Sequence, residues 1–227
     1  ETFVDVLDLQ KGRLAKPINW QGRGVYVGVD LAMTNDNCAV VFLTWDDDLQ
    51  GIIVKPIAFI PADRQLEKTK AERFDYMRSI QNHECIACGS RTVDYGVIEQ
   101  YVFDLGIKFG VTILGNGFDR YNALSSAQKW ETKMPMIEIK QHSSVLHPAT
   151  KWLAELIADG KVFYEPNKLF EENFQNARCT YDTNMNRYVN KKKSKGKIDE
   201  VAATINGTYL LHQDHVLHQS TNWTVQT

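Results

Sequence analysis

Val25-Tyr26-Val27-Gly28-Val29-Asp30 decides how this chain is read. β-Branched and aromatic residues alternate with smaller ones, the pattern of a strand with two different faces. The glycine-punctuated stretch Gln21-Gly22-Arg23-Gly24 precedes it. A second apolar run, Ala39-Val40-Val41-Phe42-Leu43, follows the polar link Thr34-Asn35-Asp36-Asn37, which predicts a hairpin or at least two neighbouring strands. The carboxylate at the end of the first run needs a reason, because a buried, unpaired Asp is costly or takes up a proton. Two readings stand open here. Asp30 caps the turn after the strand, or it holds a cation.

Outward from that stretch, the pattern continues as mixed α and β. Strands are predicted at 25–31, 38–45, 52–60, 111–114 and 136–139. Pro56 marks the third as an edge or a bulge. Residues 61–70 read as a loop. Helices are predicted over 71–80, from Asp94 to Gly106, from about 120 to Trp130, from Ser143 to Asp159, over 169–174, and from Ile198 to about Leu211, each with apolar residues three and four apart. Residues 178–190 read as a polar β-hairpin around Asp182-Thr183-Asn184-Met185-Asn186. The expected organisation is one α/β domain over 25–212, with 1–24 as an irregular linker and 213–227 as a tail without clear structure.

Composition bounds the rest. The chain has 227 residues, 43% hydrophobic and 24% charged, with a net charge of −2, enough for a sizeable core. No apolar run reaches the roughly 18 residues that span a membrane, so no membrane partner is expected. The first residue is not Met, and the expectation is a processed product or an excised domain. Cys85 and Cys88 form one C-x-x-C preceded by His83, with no second pair to complete a zinc site; ordinary reduced thiols are expected of all four cysteines. Asp46-Asp47-Asp48 reads as a solvated hairpin tip ahead of a metal site.

Three Asp residues occupy comparable junctions: Asp30 at the end of the first strand, Asp119 after the fourth, and Asp199 opening the last long helix. If the first and fourth strands are neighbours, two of the carboxylates converge, and the helix can deliver the third. Like charges raise one another's pKa; a divalent cation removes that penalty, and Mg²⁺ or Mn²⁺ suits an all-oxygen site. Two such ions are expected, the arrangement that hydrolyses phosphodiesters. Arg178, Arg187 and the lysines Lys191, Lys192, Lys193, Lys195 and Lys197 are candidates for a DNA backbone track, with a solvated flexible loop as the competing reading of the lysine run.

Four stretches resemble a known family in order: Val27-Gly28-Val29-Asp30-Leu31-Ala32-Met33-Thr34-Asn35-Asp36, then Thr92-Val93-Asp94-Tyr95-Gly96-Val97-Ile98, then Phe118-Asp119-Arg120-Tyr121-Asn122-Ala123, then Lys195-Gly196-Lys197-Ile198-Asp199-Glu200-Val201-Ala202-Ala203. Together they resemble the nuclease domain of phage terminase large subunits. The resemblance implies a ribonuclease H-like fold: a mixed sheet flanked by helices, with the hairpin near 178–190 as an addition. It implies metal-dependent cleavage of concatemeric double-stranded viral DNA, with Asp30, Asp119 and Asp199 as the catalytic metal ligands. It also implies as partners a packaging ATPase domain, a small terminase subunit and a portal, in the cytoplasm of an infected bacterium with transient docking on the procapsid. Asp36 matches a recurrent position of less certain role, and Glu200 replaces a usual Gly as a further candidate acid. No G-x-x-x-x-G-K-[ST] loop is found in this sequence, so ATP-driven translocation is not expected of it. Another ribonuclease H-like nuclease (a resolvase or integrase core), a sugar-kinase or actin-like ATPase half, and a non-catalytic DNA-binding assembly module are the competing readings.

Overall fold

A computed structural model describes residues 1–32 and 36–224; the side chains of 121–124 and 219–224 lie outside that description. Met33, Thr34 and Asn35 of the first family-like stretch, and the expected apolar positions Ala123 and Leu124, therefore fall outside it. In chain order the elements are α1 (Val6–Gln10), β1 (Gly24–Asp30), β2 (Cys38–Asp46), β3 (Gly51–Pro61), a short 3₁₀ turn, α2 (Gln65–Glu72), α3 (Tyr76–Gln81), β4 (Cys85–Cys88), α4 (Tyr95–Phe103) and α5 (Leu105–Phe109). Then come β5 (Thr112–Phe118), α6 (Arg120–Trp130), β6 (Met136–Glu138), α7 (Ser143–Ala158), β7 (Val162–Phe163), α8 (Lys168–Asn176), β8 (Cys179–Tyr181), β9 (Arg187–Val189) and α9 (Asp199–Thr224).

Six strands run in the order β4-β3-β2-β1-β5-β6, and β7 joins beside β3. β1, β2 and β3 are antiparallel neighbours, whereas β5 lies parallel to β1 and β6 parallel to β5. The alternation in β1 is what this placement requires. Val25, Val27 and Val29 face a core built with Ile98, Val102, Leu105 and Trp130. On the other face, Ala39, Val41 and Leu43 of β2 pack with Leu153, Ile157, Val201 and Ala203 from α7 and α9. The result is a sheet with helices on both faces, the ribonuclease H-like architecture.

α9 lies unusually close to β1 because glycine allows it. A Cβ on Gly28 would overlap the Ala203 carbonyl and sit 2.6 Å from the Gly207 nitrogen. Asn206 Nδ2 then donates to the Val29 carbonyl at 3.1 Å, fixing the helix lengthwise on the strand.

Four expectations change. Residues 1–24 are packed into the domain: Phe3, Leu9 and Trp20 are buried, and Thr2 bridges antiparallel to Arg178. Residues from 213 onward continue α9 as helix to Thr224. The stretch 61–70 carries α2, whose Leu66 is 69% exposed; with no apolar stripe, periodicity could not report it. Arg73, in the left-handed region at φ 53°, separates α2 from α3. The four cysteines are free and buried. No helix among the described residues is long and apolar enough to cross a membrane.

Candidate active site

The sheet register brings the first two acids together. Gly28 pairs with Gly117, and Asp30 and Asp119 each lie two residues further along parallel neighbours, at the same end of the sheet. Asp199 begins α9, which the Gly28 contact holds against the same strand. Asp30 and Asp199 are 8% and 7% exposed.

Their electrostatics follow from that burial. Desolvation pushes Asp30 up; the Lys191 ammonium draws it back in part, while Asp119 and Asp36 push it up again. Desolvation holds Asp199 well above the ordinary carboxylate range, with Asp30 and Asp36 adding to it and the two lysines Lys191 and Lys197 opposing. Lys191 Nζ lies 2.7 Å from Asp30 Oδ2. Lys197 pairs with Asp36; burial pushes Asp36 up, but the Lys197 hydrogen bond and charge together with the Asn37 amide more than offset it, so Asp36 is lowered. Asp36 also accepts from the Asn37 amide at 2.8 Å. It therefore both orders its turn and joins the charge cluster, which its place in a polar link did not reveal.

One oxygen is left over: Asp199 Oδ2 is buried without a hydrogen-bond partner. Among the described residues, no three His, Cys, Asp or Glu side chains stand together as a ready-made metal cage. The acids are linked pairwise, with Asp30 common to both pairs.

A cavity of about 470 Å³ opens on Asp30 and Asp119. Gln141, Ser143, Leu146 and Thr150 of α7 and its approach form one wall, and Tyr188, Val189, Asn190, Lys191 and Lys192 form the roof. The hairpin β8–β9 is pinned above it by Asp182, which accepts from Ser143 Oγ at 2.6 Å and from the Asn184 and Asn186 amides. The α7 wall carried no sequence signal beyond an amphipathic helix.

The basic residues divide into three groups. Lys191 and Lys197 turn inward to Asp30 and Asp36. Lys192, Lys193 and Lys195 are exposed, on a segment ordered by Asn190, whose Oδ1 accepts from the Lys192 and Lys193 amides at 3.0 and 3.3 Å. Arg178 and Arg187, also expected in the DNA track, each make local contacts. Arg178 donates to the Gln175 and Ala177 carbonyls; Arg187 donates to the Phe3 carbonyl at 2.6 Å and lies 3.6 Å from the Glu1 carboxylate. Both fasten the hairpin to neighbouring backbone. Glu200 also differs from its reading as a further site acid. It is fully buried with neither carboxylate oxygen partnered, facing Glu84 and Cys85.

Known proteins share this fold. The large terminase of HK97 bacteriophage has a solved structure that superposes with a TM-score of 0.84 at 24% identity, over 92% of this chain and 43% of that one. The large terminase nuclease of thermophilic phage G20c, solved with bound magnesium, superposes with a TM-score of 0.55 at 13% identity, over 91% of this chain and 96% of that one. In sequence, the terminase large subunit of Enterobacteria phage HK97 is 27% identical over 191 residues, 82% of this chain and 37% of that protein, so the chain spans well under half of that relative. The family profile of the terminase large subunit, endonuclease domain, matches residues 1–213. The chain belongs to the terminase large subunit endonuclease domain family.

Proposed function

We propose that this domain is a divalent-metal-dependent endonuclease that hydrolyses phosphodiester bonds of double-stranded DNA, with Asp30, Asp119 and Asp199 as the metal ligands. The observation that carries this reading is the parallel register of β1 and β5, which sets Asp30 and Asp119 side by side at the sheet end where α9 delivers Asp199. The donor set fits a hard cation. It is all carboxylate oxygen, and the orphaned Asp199 Oδ2 is a buried acceptor still lacking a positive neighbour at bonding distance. Mg²⁺ or Mn²⁺, two ions, is the proposed complement. When bound, such ions supply a polarised water and charge compensation at the leaving oxygen.

The chain's own residues do the rest. Asp30 and Asp119 fix one side of the site on rigid strands, which limits misplacement of the reacting phosphate. Asp199 approaches from the helix. The exposed Lys192, Lys193 and Lys195 meet the DNA backbone at the rim and contribute salt-dependent affinity without sequence choice. Within a full-length subunit, the proposed substrate is concatemeric viral DNA during genome packaging. The proposed partners are the packaging ATPase domain, the small terminase subunit and the portal, and the proposed place of action is the infected cell's cytoplasm at the procapsid.

The test is nicking and linearisation of supercoiled plasmid with Mn²⁺. Asp30→Ala, Asp119→Ala and Asp199→Ala should each abolish cutting while Lys192→Ala/Lys193→Ala/Lys195→Ala weakens binding and flattens its salt dependence. Three Asp variants that cut like the wild type would overturn the ligand assignment. DNA binding without any cutting by the wild type would leave a non-catalytic module instead.

A further inference from the structure

We propose that Lys191 is a resident counter-ion of the carboxylate cluster, one that must leave Asp30 when a divalent cation binds. This rests on the metal-site reading above and assigns Lys191 a role apart from the exposed lysines beside it. It makes Lys191 a positioning residue that couples the state of the acid cluster to the roof of the cleft.

Three observations support it. The first is geometry: Lys191 Nζ lies 2.7 Å from Asp30 Oδ2, the oxygen-rich position where a cation would compensate the same charge. The second is the company it keeps. Asp30, Asp199 and Asp36 all attract this one ammonium, so it is the shared positive charge of a cluster that would otherwise be uncompensated. The third is its exit. The Lys191 side chain is 56% exposed while Asp30 is 10% exposed. A lysine side chain with about half its surface in water can swing away on its flexible stem without crossing an apolar interior. Lys197 is the contrast: its side chain, paired with Asp36, is 29% exposed, and it lies two residues before the start of α9.

Lys191 also lines the cleft alongside Asp30 and Asp119. It follows Asn190, whose carboxamide orders the next two amides. Departure of Lys191 from Asp30 therefore presents a cation to the cleft at the moment the acids gain their metal, next to the exposed Lys192.

Calorimetric titration of Mn²⁺ into wild type, Lys191→Met, Lys191→Gln, Lys191→Arg and Lys192→Met tests this, with thermal unfolding in EDTA as the second readout. Lys191→Met and Lys191→Gln should bind Mn²⁺ about tenfold more tightly than wild type, because no resident cation competes. They should also melt at lower temperature than wild type in EDTA and gain more from added Mn²⁺. Lys191→Arg and Lys192→Met should stay near the wild-type affinity. Unchanged or weaker Mn²⁺ binding by both Lys191→Met and Lys191→Gln would overturn the proposal. The underlying reading fails differently: there, wild type and Asp199→Asn would give the same Mn²⁺ titration.

Discussion

Asp199 and Glu200 are neighbours on the first turn of α9, yet they live in different surroundings. Asp199 faces the cluster, where Lys191 and Lys197 offset part of its desolvation. Glu200 faces Glu84, with no cation among the causes that set its state; burial first, then Glu84 and Asp199, holds its carboxyl well above the ordinary range. A one-residue step turns a helix by roughly 100°, so one turn can serve a site with cations and an interior without them at once. A buried acid is thus evidence for a site only when cations are gathered on its side of the helix.

The largest test of that contrast uses isosteric amides. Asp199→Asn should weaken Mn²⁺ binding by more than about a hundredfold, since loss of a direct ligand exceeds the tenfold to hundredfold typical of outer-shell changes. Glu200→Gln should leave Mn²⁺ affinity within about twofold and be neutral or about 1 kcal/mol stabilising, because it replaces an uncompensated buried acid. Calorimetry and urea unfolding read the two together. Equal metal defects in both variants would erase the distinction between the two sides of the helix.

A second test moves the helix as a whole. Gly28→Ala puts a methyl against the Ala203 carbonyl and should cost about 3 kcal/mol in urea unfolding. It should also weaken Mn²⁺ binding, although no ligand is changed. A cost below about 1 kcal/mol would mean that α9 can slide on β1 without consequence.

The smallest effect comes from an acid whose partners are fixed. Asp46 accepts from the Leu49 amide at 2.8 Å and pairs with Arg23 at 2.8 Å. The Leu49 hydrogen bond foremost, with Arg23 assisting against burial, holds it below its ordinary value. A depressed folded pKa gives stability that is present above the unfolded value near 4 and lost as pH falls through the folded value. Asp46→Ala should cost about 1 kcal/mol at pH 7, and the gap to wild type should narrow as unfolding is repeated at pH values stepped down from about 4. A gap that stays constant over that series would assign the loss to packing.

What sequence could tell depended on whether a residue's role is local. β1 to β3 were legible because β-branched and apolar runs within seven to eleven residues are a strong strand pattern. The junction positions of the three acids were legible, because Asp30 ends a strand, Asp119 follows one and Asp199 opens a helix; their grouping was read mostly from the ordered resemblance of the flanking stretches. The inward turn of Lys191 and Lys197 was not, since a lysine run reads the same whether its members face water or carboxylates. The backbone carbonyls that Arg178 and Arg187 serve were not legible either, because they are set by the fold. Residues 1–24 show little periodicity, yet Phe3, Leu9 and Trp20 are each buried by partners distant in sequence.

The first three residues have a mechanical meaning as well. The Cys179 amide donates to the Glu1 carbonyl at 2.9 Å and the Phe3 amide to the Ala177 carbonyl at 3.1 Å, so this segment lies beside β8 like a third strand. Arg187 of β9 grips the Phe3 carbonyl from the other side. Tension on the amino end is therefore borne in shear by the same hydrogen bonds that hold the roof over Asp30. One set of hydrogen bonds thus ties the roof of the cleft to the amino end of the domain.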